Sequence, residues 1–151
     1  MDREAYLKIL KDADDPVHSE VPGGLERYDL KAAEARFRQF TARLQQVLGA
    51  QCLSKNGADI QDASFVGLIT IPGELAGQAK PIEIRISHFG NLATVADEEG
   101  IRQQTMDQLM ALLKEAGYRH IPSAVLSTPY TGRNPGVTGF KNWWHRYFDW
   151  I

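Results

Sequence analysis

Four histidines and one cysteine are the side chains of this sequence best suited to metal binding or nucleophilic chemistry. They are His18, His88, His120, His145 and Cys52. The histidines lack the close HExxH or HxxxH spacing of metal ligands, and a lone cysteine cannot build a thiolate-rich centre. We therefore predict no metal site and no cofactor.

Motifs for a nucleophile or a bound phosphate are also missing from the sequence. There is no GxSxG elbow, and Cys52 stands beside Leu53 on a predicted strand, where a thiol behaves as a small hydrophobic group. The glycine-containing loop 132–139 has neither GxxxxGK[ST] nor GxGxxG order, so we interpret it as a turn with Thr138 capping the next helix. No catalytic residue is predicted.

A small enzyme or ligand-binding domain is the alternative hypothesis. Its site would lie in the cleft between sheet and helices, with His88, His120, His145 or Cys52 in a role that no motif describes. Convergence of two of these side chains with a carboxylate in a pocket would favour it. His88 itself is in phase with the buried isoleucines of its strand, which is typical of a wall residue.

Composition restricts the class of protein. The 151 residues suit one domain, residues 1–151, and seventeen Lys and Arg against nineteen Asp and Glu disfavour nucleic-acid binding. The apolar runs fall short of the roughly 18 residues that a membrane span needs, and "MDREAYLKIL" does not resemble a signal peptide. A single cysteine agrees with the cytoplasm. We expect a cytoplasmic protein without nucleic-acid or membrane partners.

Hydrophobic periodicity predicts three helices before the C-terminal tail. The first covers residues 2–11, and the clearest runs from a cap at Asp29 to Gly49. The third begins at Asp97, in an acidic turn that suits the helix dipole, and ends at Gly117.

Alternating and β-branched runs predict the strands. We place them at residues 51–55, 64–71 and 82–89. A fourth strand follows the Gly90-Asn91 turn and includes Val95, and a short edge strand lies around Ala124 to Ser127.

Two turns join these strands. Asn56-Gly57 favours a type I′ turn, and Gly90-Asn91 forms a two-residue hairpin that places His88 opposite Ala93 and Ile86 opposite Val95.

The tail "FKNWWHRYFDWI", Phe140 to Ile151, is rich in aromatic residues. On a helical wheel its apolar side chains share a sector of about 160°, with His145 and Arg146 on the polar side. Trp143 and Trp150 lie on one flank. We predict an amphipathic helix that packs on the core, which completes an α+β fold with an antiparallel sheet of four or five strands and helices mainly on one face.

The C-terminal third carries a resemblance to a known group of proteins. The strings "GYRHIPSAVLSTPYTG" and "TGFKNWWHRYFDWI" resemble the ends of small bacterial proteins from polymorphic-toxin loci, including Rhs-type loci, which are regarded as immunity proteins. Their pattern is glycine-aromatic-x-x-(Ile/Val)-Pro, then Tyr-x-Gly, then Trp-Trp-x-Arg-(Tyr/Phe)-Phe-Asp-(Tyr/Trp)-(Leu/Ile). The matching residues are Gly117, Tyr118, Ile121, Pro122, Tyr130, Gly132, Trp143, Trp144, Arg146, Tyr147, Phe148, Asp149, Trp150 and Ile151.

The resemblance implies a non-enzymatic protein that blocks one cognate toxin by direct binding. Two candidate surfaces follow from charge and residue type. The acidic loop 11–24 could oppose a basic toxin, and the loop Tyr130 to Asn134 contains residue types common at binding hot spots. The candidate interface residues are Asp12, Asp14, Asp15, Glu20, Tyr130, Arg133 and Asn134. A homodimer is left open.

Overall fold

The computed structural model describes residues 2–14, 30–56, 65–88, 90–134 and 139–149. The helices are α1 Arg3–Ala13, α2 Leu30–Leu48, α3 Gln103–Glu115, α4 Ser123–Leu126 and α5 Trp143–Tyr147, with 3-10 turns at Gly73–Ala76 and Glu98–Gly100. The strands are β1 Leu53–Asn56, β2 Phe65–Ile71, β3 Ile82–Ser87, β4 Leu92–Val95 and β5 Arg119–His120. The predicted α+β class is confirmed.

The five strands form one sheet in the order β1-β2-β3-β4-β5. The first three pairs are antiparallel, whereas β4 and β5 are parallel. A parallel neighbour needs a crossover, which α3 supplies between these two strands. The sheet is therefore mixed, although mostly antiparallel as predicted.

The two longest helices cover one face of the sheet. Phe37 and Phe40 of α2 and Leu109 of α3 are buried against the isoleucines of β2 and β3. A Cβ at Gly67 of β2 would overlap the Phe37 ring, so glycine permits this close approach of helix and strand. This face holds the larger apolar cluster.

A second apolar cluster occupies the other face, near β4. Strand alternation sends Ala93 to the first cluster and Leu92 to the second, where α1, α4 and α5 meet. Arg85, also on this face, donates from Nη1 to the Phe148 carbonyl oxygen at 2.5 Å. The short C-terminal helix therefore packs on the sheet, as predicted for the aromatic tail.

The hairpin between β3 and β4 differs from the predicted one. Ile86 faces Ala93 instead of Val95, so both predicted pairs are wrong by two residues. Ile86 and Ala93 are the last pair of the ladder, and beyond them the Ser87 hydroxyl oxygen accepts from the Leu92 N–H at 3.1 Å. An even shift keeps the apolar side chains on the predicted face.

Two predictions around α3, the start of that helix and the strand that follows it, are wrong. Asp97, with φ 49°, is the N-cap residue of the 3-10 turn Glu98–Gly100 and makes no side-chain cap bond, whereas the N-cap of α3 is Arg102. The predicted strand at Ala124 to Ser127 is wrong, because α4 stands there. The Glu98 carboxylate accepts from the Ser123 N–H at 2.6 Å, so a distant side chain stabilises the start of α4.

The C-terminal helix is shorter than the tail. It is capped by Asn142, whose Oδ1 accepts from the His145 N–H at 2.8 Å. Trp143 is buried, and Arg146, predicted on the polar side, is also buried at 0% exposure, which is the main correction to the wheel. Thr138, Trp150 and Ile151 lie outside the described residues.

Helices α2 and α3 end at the glycines predicted to terminate them. Gly49 after α2 and Gly117 after α3 have φ 70° and 90°, as expected for helix termination. Helix α1 continues to Ala13, so the start of the predicted acidic loop is helical. Asp29 and Gly57 lie outside the described residues.

Candidate functional site

Asp14 is the residue on which the predicted interface surfaces meet. It is the C-cap of α1, where its N–H bonds to the Lys11 carbonyl oxygen at 3.2 Å. The preceding helix buries Leu10 in the second apolar cluster, which draws the end of α1 into the protein. The Asp14 side chain consequently has 0% exposure.

Arg146 of α5 is the charged partner of Asp14. Its Nε lies 2.7 Å from Asp14 Oδ1, and its side chain is also at 0% exposure. The guanidinium carbon lies 5.2 Å from the ring centroids of both Phe140 and Tyr147. A buried ion pair is stable only when its remaining polar atoms are also satisfied.

The second carboxylate oxygen of Asp14 is held by the loop after α4. Asp14 Oδ2 accepts from the Tyr130 hydroxyl at 2.6 Å and from the Arg133 N–H at 2.8 Å. Arg133 Nη2 donates to the Asp14 carbonyl oxygen at 2.8 Å. Together with Arg146, these donors satisfy the buried carboxylate, so its role is to join α1, the loop and α5.

The Tyr130 hydroxyl has a second bond within the loop. It accepts from the Asn134 N–H at 2.7 Å while donating to Asp14. Burial and the hydrogen bond to Asp14 raise the pKa of Tyr130 to about 12. The hydroxyl therefore remains a donor at neutral pH, and it fixes the curvature of the Tyr130–Asn134 loop.

Gly132 lets the loop backbone pack directly against the Asp14 carboxylate and the Tyr130 ring. A Cβ at this position would overlap both the Asp14 carboxylate and the Tyr130 ring. Any larger residue would push the loop off the carboxylate. The Tyr-x-Gly part of the C-terminal pattern is thus explained by contacts with a residue more than a hundred positions earlier in the chain.

Tyr147 makes a further link between α5 and α1. Its hydroxyl donates to the Leu10 carbonyl oxygen at 2.7 Å. Its ring is stacked with Trp143 at 6.0 Å between centroids, and burial raises the pKa of Tyr147. We call Asp14, Tyr130, Gly132, Arg146 and Tyr147 the Asp14 cluster.

The two predicted interface surfaces are therefore neighbours. Asp14 and Asn134 are buried and Tyr130 is half-buried, so their polar groups bond inside the protein instead of facing a partner. Asp12 and Arg133 are exposed. Asp15 and Glu20 lie outside the described residues, and their predicted role stays a prediction.

An open depression lies beside the cluster. It is lined by Lys11, Asp12, Thr131, Gly132 and Arg133, which we call the Asp12–Arg133 rim. Asp12 is paired there with Lys8 at 2.5 Å, in an exposed i,i+4 contact. The rim carries positive charge on Lys11 and Arg133 and negative charge on Asp12. Its backbone is fixed by the bond from the Arg133 N–H to buried Asp14.

The residues of the alternative hypothesis occupy different surroundings. His120 Nε2 lies 2.8 Å from Glu98 Oε2, but the other oxygen of that carboxylate caps α4. His145 Nδ1 accepts from the Lys141 N–H at 3.3 Å. Cys52 is buried, and burial raises the pKa of its thiol. Within the described ranges, no three His, Cys, Asp or Glu residues form a possible metal site.

Arg146 is the residue of the cluster that sequence periodicity missed. A helical wheel assumes one buried side and one exposed side along the whole helix. Helix α5 has only five residues, and three of them, Trp143, Arg146 and Tyr147, are buried. The presence of an arginine inside the aromatic C-terminal pattern was the available indication of a buried partner.

None of the helices in the described ranges has the length and apolar character needed to cross a membrane. No protein-family model, curated protein or solved structure matches the chain.

Proposed function

We propose that this protein is an immunity protein that neutralises one cognate bacterial toxin by direct, non-enzymatic binding. The proposal rests on the resemblance of Gly117 to Ile151 to the ends of immunity-like proteins. The observation that carries it furthest is that Tyr130, Gly132 and Arg146, all part of that pattern, meet around Asp14.

This arrangement separates buried scaffold residues from an exposed surface. In the Tyr-x-Gly segment, Tyr130 and Gly132 pack on Asp14, whereas the intervening Thr131 is exposed. Asp12 and Arg133 are also exposed and lie outside the pattern. A protein that recognises one toxin among many needs a rigid framework beneath its contact residues, and buried Asp14 beneath exposed Asp12 and Arg133 supports that proposal.

The charges of the rim suggest how the partner is recognised. Because Asp14 is occupied internally, Asp12 is the acidic side chain that the described part of the predicted acidic surface exposes. Lys11 and Arg133 add positive charge beside it. We infer a toxin surface with complementary charges of both signs, which would favour orientation and specificity over long-range attraction.

The proposed setting is the cytoplasm, where the protein meets its toxin without a cofactor, nucleic acid or membrane. The adjacent toxin gene provides the test. Cells expressing that toxin are predicted to grow only when this protein is also expressed, and the two purified proteins are predicted to form a stable complex. Failure of the folded protein to bind and protect would refute the proposal.

A further inference from the structure

Asn56 is the last residue of β1, which forms one edge of the sheet. The other residues of this strand, Leu53, Ser54 and Lys55, are exposed, and Asn56 is partly exposed. In the described part of the chain, the side-chain amide of Asn56 makes no hydrogen bond. Its carboxamide group is therefore accessible and is not held in one orientation.

The residue that follows Asn56 in the sequence is Gly57. The backbone nitrogen of a following residue can attack an asparagine side chain and close a cyclic succinimide. A side chain on the following residue hinders this approach, and glycine has none. Because the sequence contains one Asn-Gly pair, Asn56 alone has the neighbour that most favours ring closure.

Asn91 is exposed, but the peptide unit that would close the ring is fixed. The nitrogen that would attack belongs to buried Leu92, whose N–H donates to the Ser87 hydroxyl oxygen at 3.1 Å. The Asn91 carbonyl oxygen, in the same peptide unit, accepts from the Arg119 N–H at 2.8 Å. Ring closure at Asn91 therefore requires the hairpin to open locally.

Asn142 is restrained on both reacting groups. Its side chain caps α5, since Oδ1 accepts from the His145 N–H at 2.8 Å. The attacking nitrogen would be that of buried Trp143, whose N–H donates to the Thr128 carbonyl oxygen at 3.3 Å. Both bonds must break before a ring can form at Asn142.

Asn134, the remaining asparagine, lacks the attacking group. It precedes Pro135, which has no N–H, and it is 3% exposed. Asn56 thus differs from the other three asparagines, because it combines a side chain that the described residues leave unbonded with a glycine as the next residue.

We propose that Asn56 is a deamidation site that converts to aspartate and isoaspartate. The Gly57 nitrogen forms a bond to Asn56 Cγ while the Cγ–Nδ2 bond breaks, and the amide group leaves as ammonia with the proton of the Gly57 N–H. Water then opens the succinimide at either carbonyl carbon. The net reaction consumes water and releases ammonia, without another reactant. The inference is independent of toxin binding.

The modification changes the end of β1. Asn56 is paired with Gly67 of β2, so the additional backbone carbon of isoaspartate shifts this last pair of the ladder. Both products also add a negative charge, next to Lys55, to a chain whose net charge is -2. Because β1 is an exposed edge strand, we expect the change to stay local and the Asp14 cluster to remain folded.

Peptide mapping by mass spectrometry of the purified protein, aged at physiological temperature and pH, tests the proposal. Deamidation raises the mass of a peptide by about 1 Da, and isoaspartate is separated from aspartate by chromatography. Asn91 and Asn142 are expected to react at least about tenfold more slowly than Asn56 in the native protein. In urea both should react faster than in the native protein, whereas the rate at Asn56 should change by less than about tenfold.

Gly57→Ala is the matched variant, since it keeps Asn56 and adds one methyl group to the attacking residue. Deamidation of Asn56 is expected to be about tenfold slower in this variant. Asn56→Gln removes the site, so the acidic species that ion exchange separates from aged wild-type protein should disappear. The proposal is overturned if native Asn56 stays intact or reacts no faster than Asn91 and Asn142, or if Gly57→Ala reacts as fast as wild type.

Discussion

Asp14 and Arg146 lie 132 positions apart in the chain, yet Arg146 Nε is 2.7 Å from Asp14 Oδ1 and both side chains have 0% exposure. The pair ties the end of the first helix to the last helix. Around it, Tyr130 and Gly132 shape the loop whose outer residues form the rim. The candidate binding surface therefore depends on an interior contact between the two ends of the chain.

Removing the carboxylate of Asp14 is predicted to be strongly destabilising. Asp14→Ala leaves the Arg146 guanidinium buried without its counter-charge, and the free energy of unfolding is expected to fall by about 3–5 kcal/mol. Urea denaturation measures the change. Asp12→Ala is the matched control, because its exposed pair with Lys8 contributes only about 0–1 kcal/mol. Equal effects of the two substitutions would contradict the role of Asp14.

Replacing the whole ion pair tests whether its charge or its packing matters more. Asp14→Leu combined with Arg146→Met removes both charges while keeping apolar bulk. The double variant is expected to be more stable than Asp14→Ala, because no buried charge is left alone. A double variant less stable than Asp14→Ala would contradict this reason, because it would show that the isolated Arg146 charge is not what destabilises Asp14→Ala.

Gly132→Ala is predicted to disturb the cluster by overpacking. The added methyl group would overlap Asp14 and Tyr130, so a loss of about 1–3 kcal/mol in unfolding free energy is expected. Gly100→Ala provides the control, since its Cβ meets nothing within 4 Å. Thermal denaturation of the two variants checks this. If both melt alike, Gly132 is not constrained as described.

Tyr130→Phe is predicted to have a pH-dependent effect. It removes the donor to Asp14 and the acceptor for the Asn134 N–H, which costs roughly 1–3 kcal/mol at pH 7. The pKa of Tyr130 is raised to about 12, so the stabilisation by its neutral form is complete below pH 10 and is lost as pH rises through 12.

The measurement is the difference in unfolding free energy between wild type and Tyr130→Phe. It is expected to be constant from pH 7 to 9 and to shrink between pH 10 and 12. A difference that grows over that alkaline range would mean that the phenolate, not the phenol, is the form that the native protein favours.

Cys52 is predicted to react slowly with thiol reagents in the native protein. It is buried, and burial raises the pKa of the thiol, so little thiolate is accessible near neutral pH. Labelling with a disulfide reagent is expected to be at least tenfold faster in urea. Fast native labelling would instead support Cys52 as the nucleophile of the alternative hypothesis.

The main elements of the fold could be predicted because their patterns are local. The apolar spacing in α2 and α3 indicates which side of each helix faces the core. The β-branched runs of β2 and β3 do the same for the strands. Gly49 and Gly117 mark helix ends for the same local reason. Fold class and most of the sheet follow from such information.

The features that were missed depend on distant partners. The Ser87 hydroxyl accepts from the Leu92 N–H at the end of the β3–β4 hairpin, and α4 begins where the Glu98 carboxylate accepts from the Ser123 N–H. Asp14 was assigned to an acidic surface because its partner Arg146 cannot be inferred from spacing. Charge and residue type indicated the two halves of the candidate site, but not that the Asp14 carboxylate joins them by accepting from Tyr130 and Arg133.

The most direct test of the proposed function is titration calorimetry with the toxin that we propose is encoded by a neighbouring gene. We predict a saturable one-to-one complex for wild-type protein and at least tenfold weaker binding for Asp12→Lys. Asp107→Lys should bind like wild type, since Asp107 is likewise an exposed helical aspartate that accepts from the residue four positions earlier, but lies on α3. Absence of binding by the folded wild-type protein would contradict the central claim.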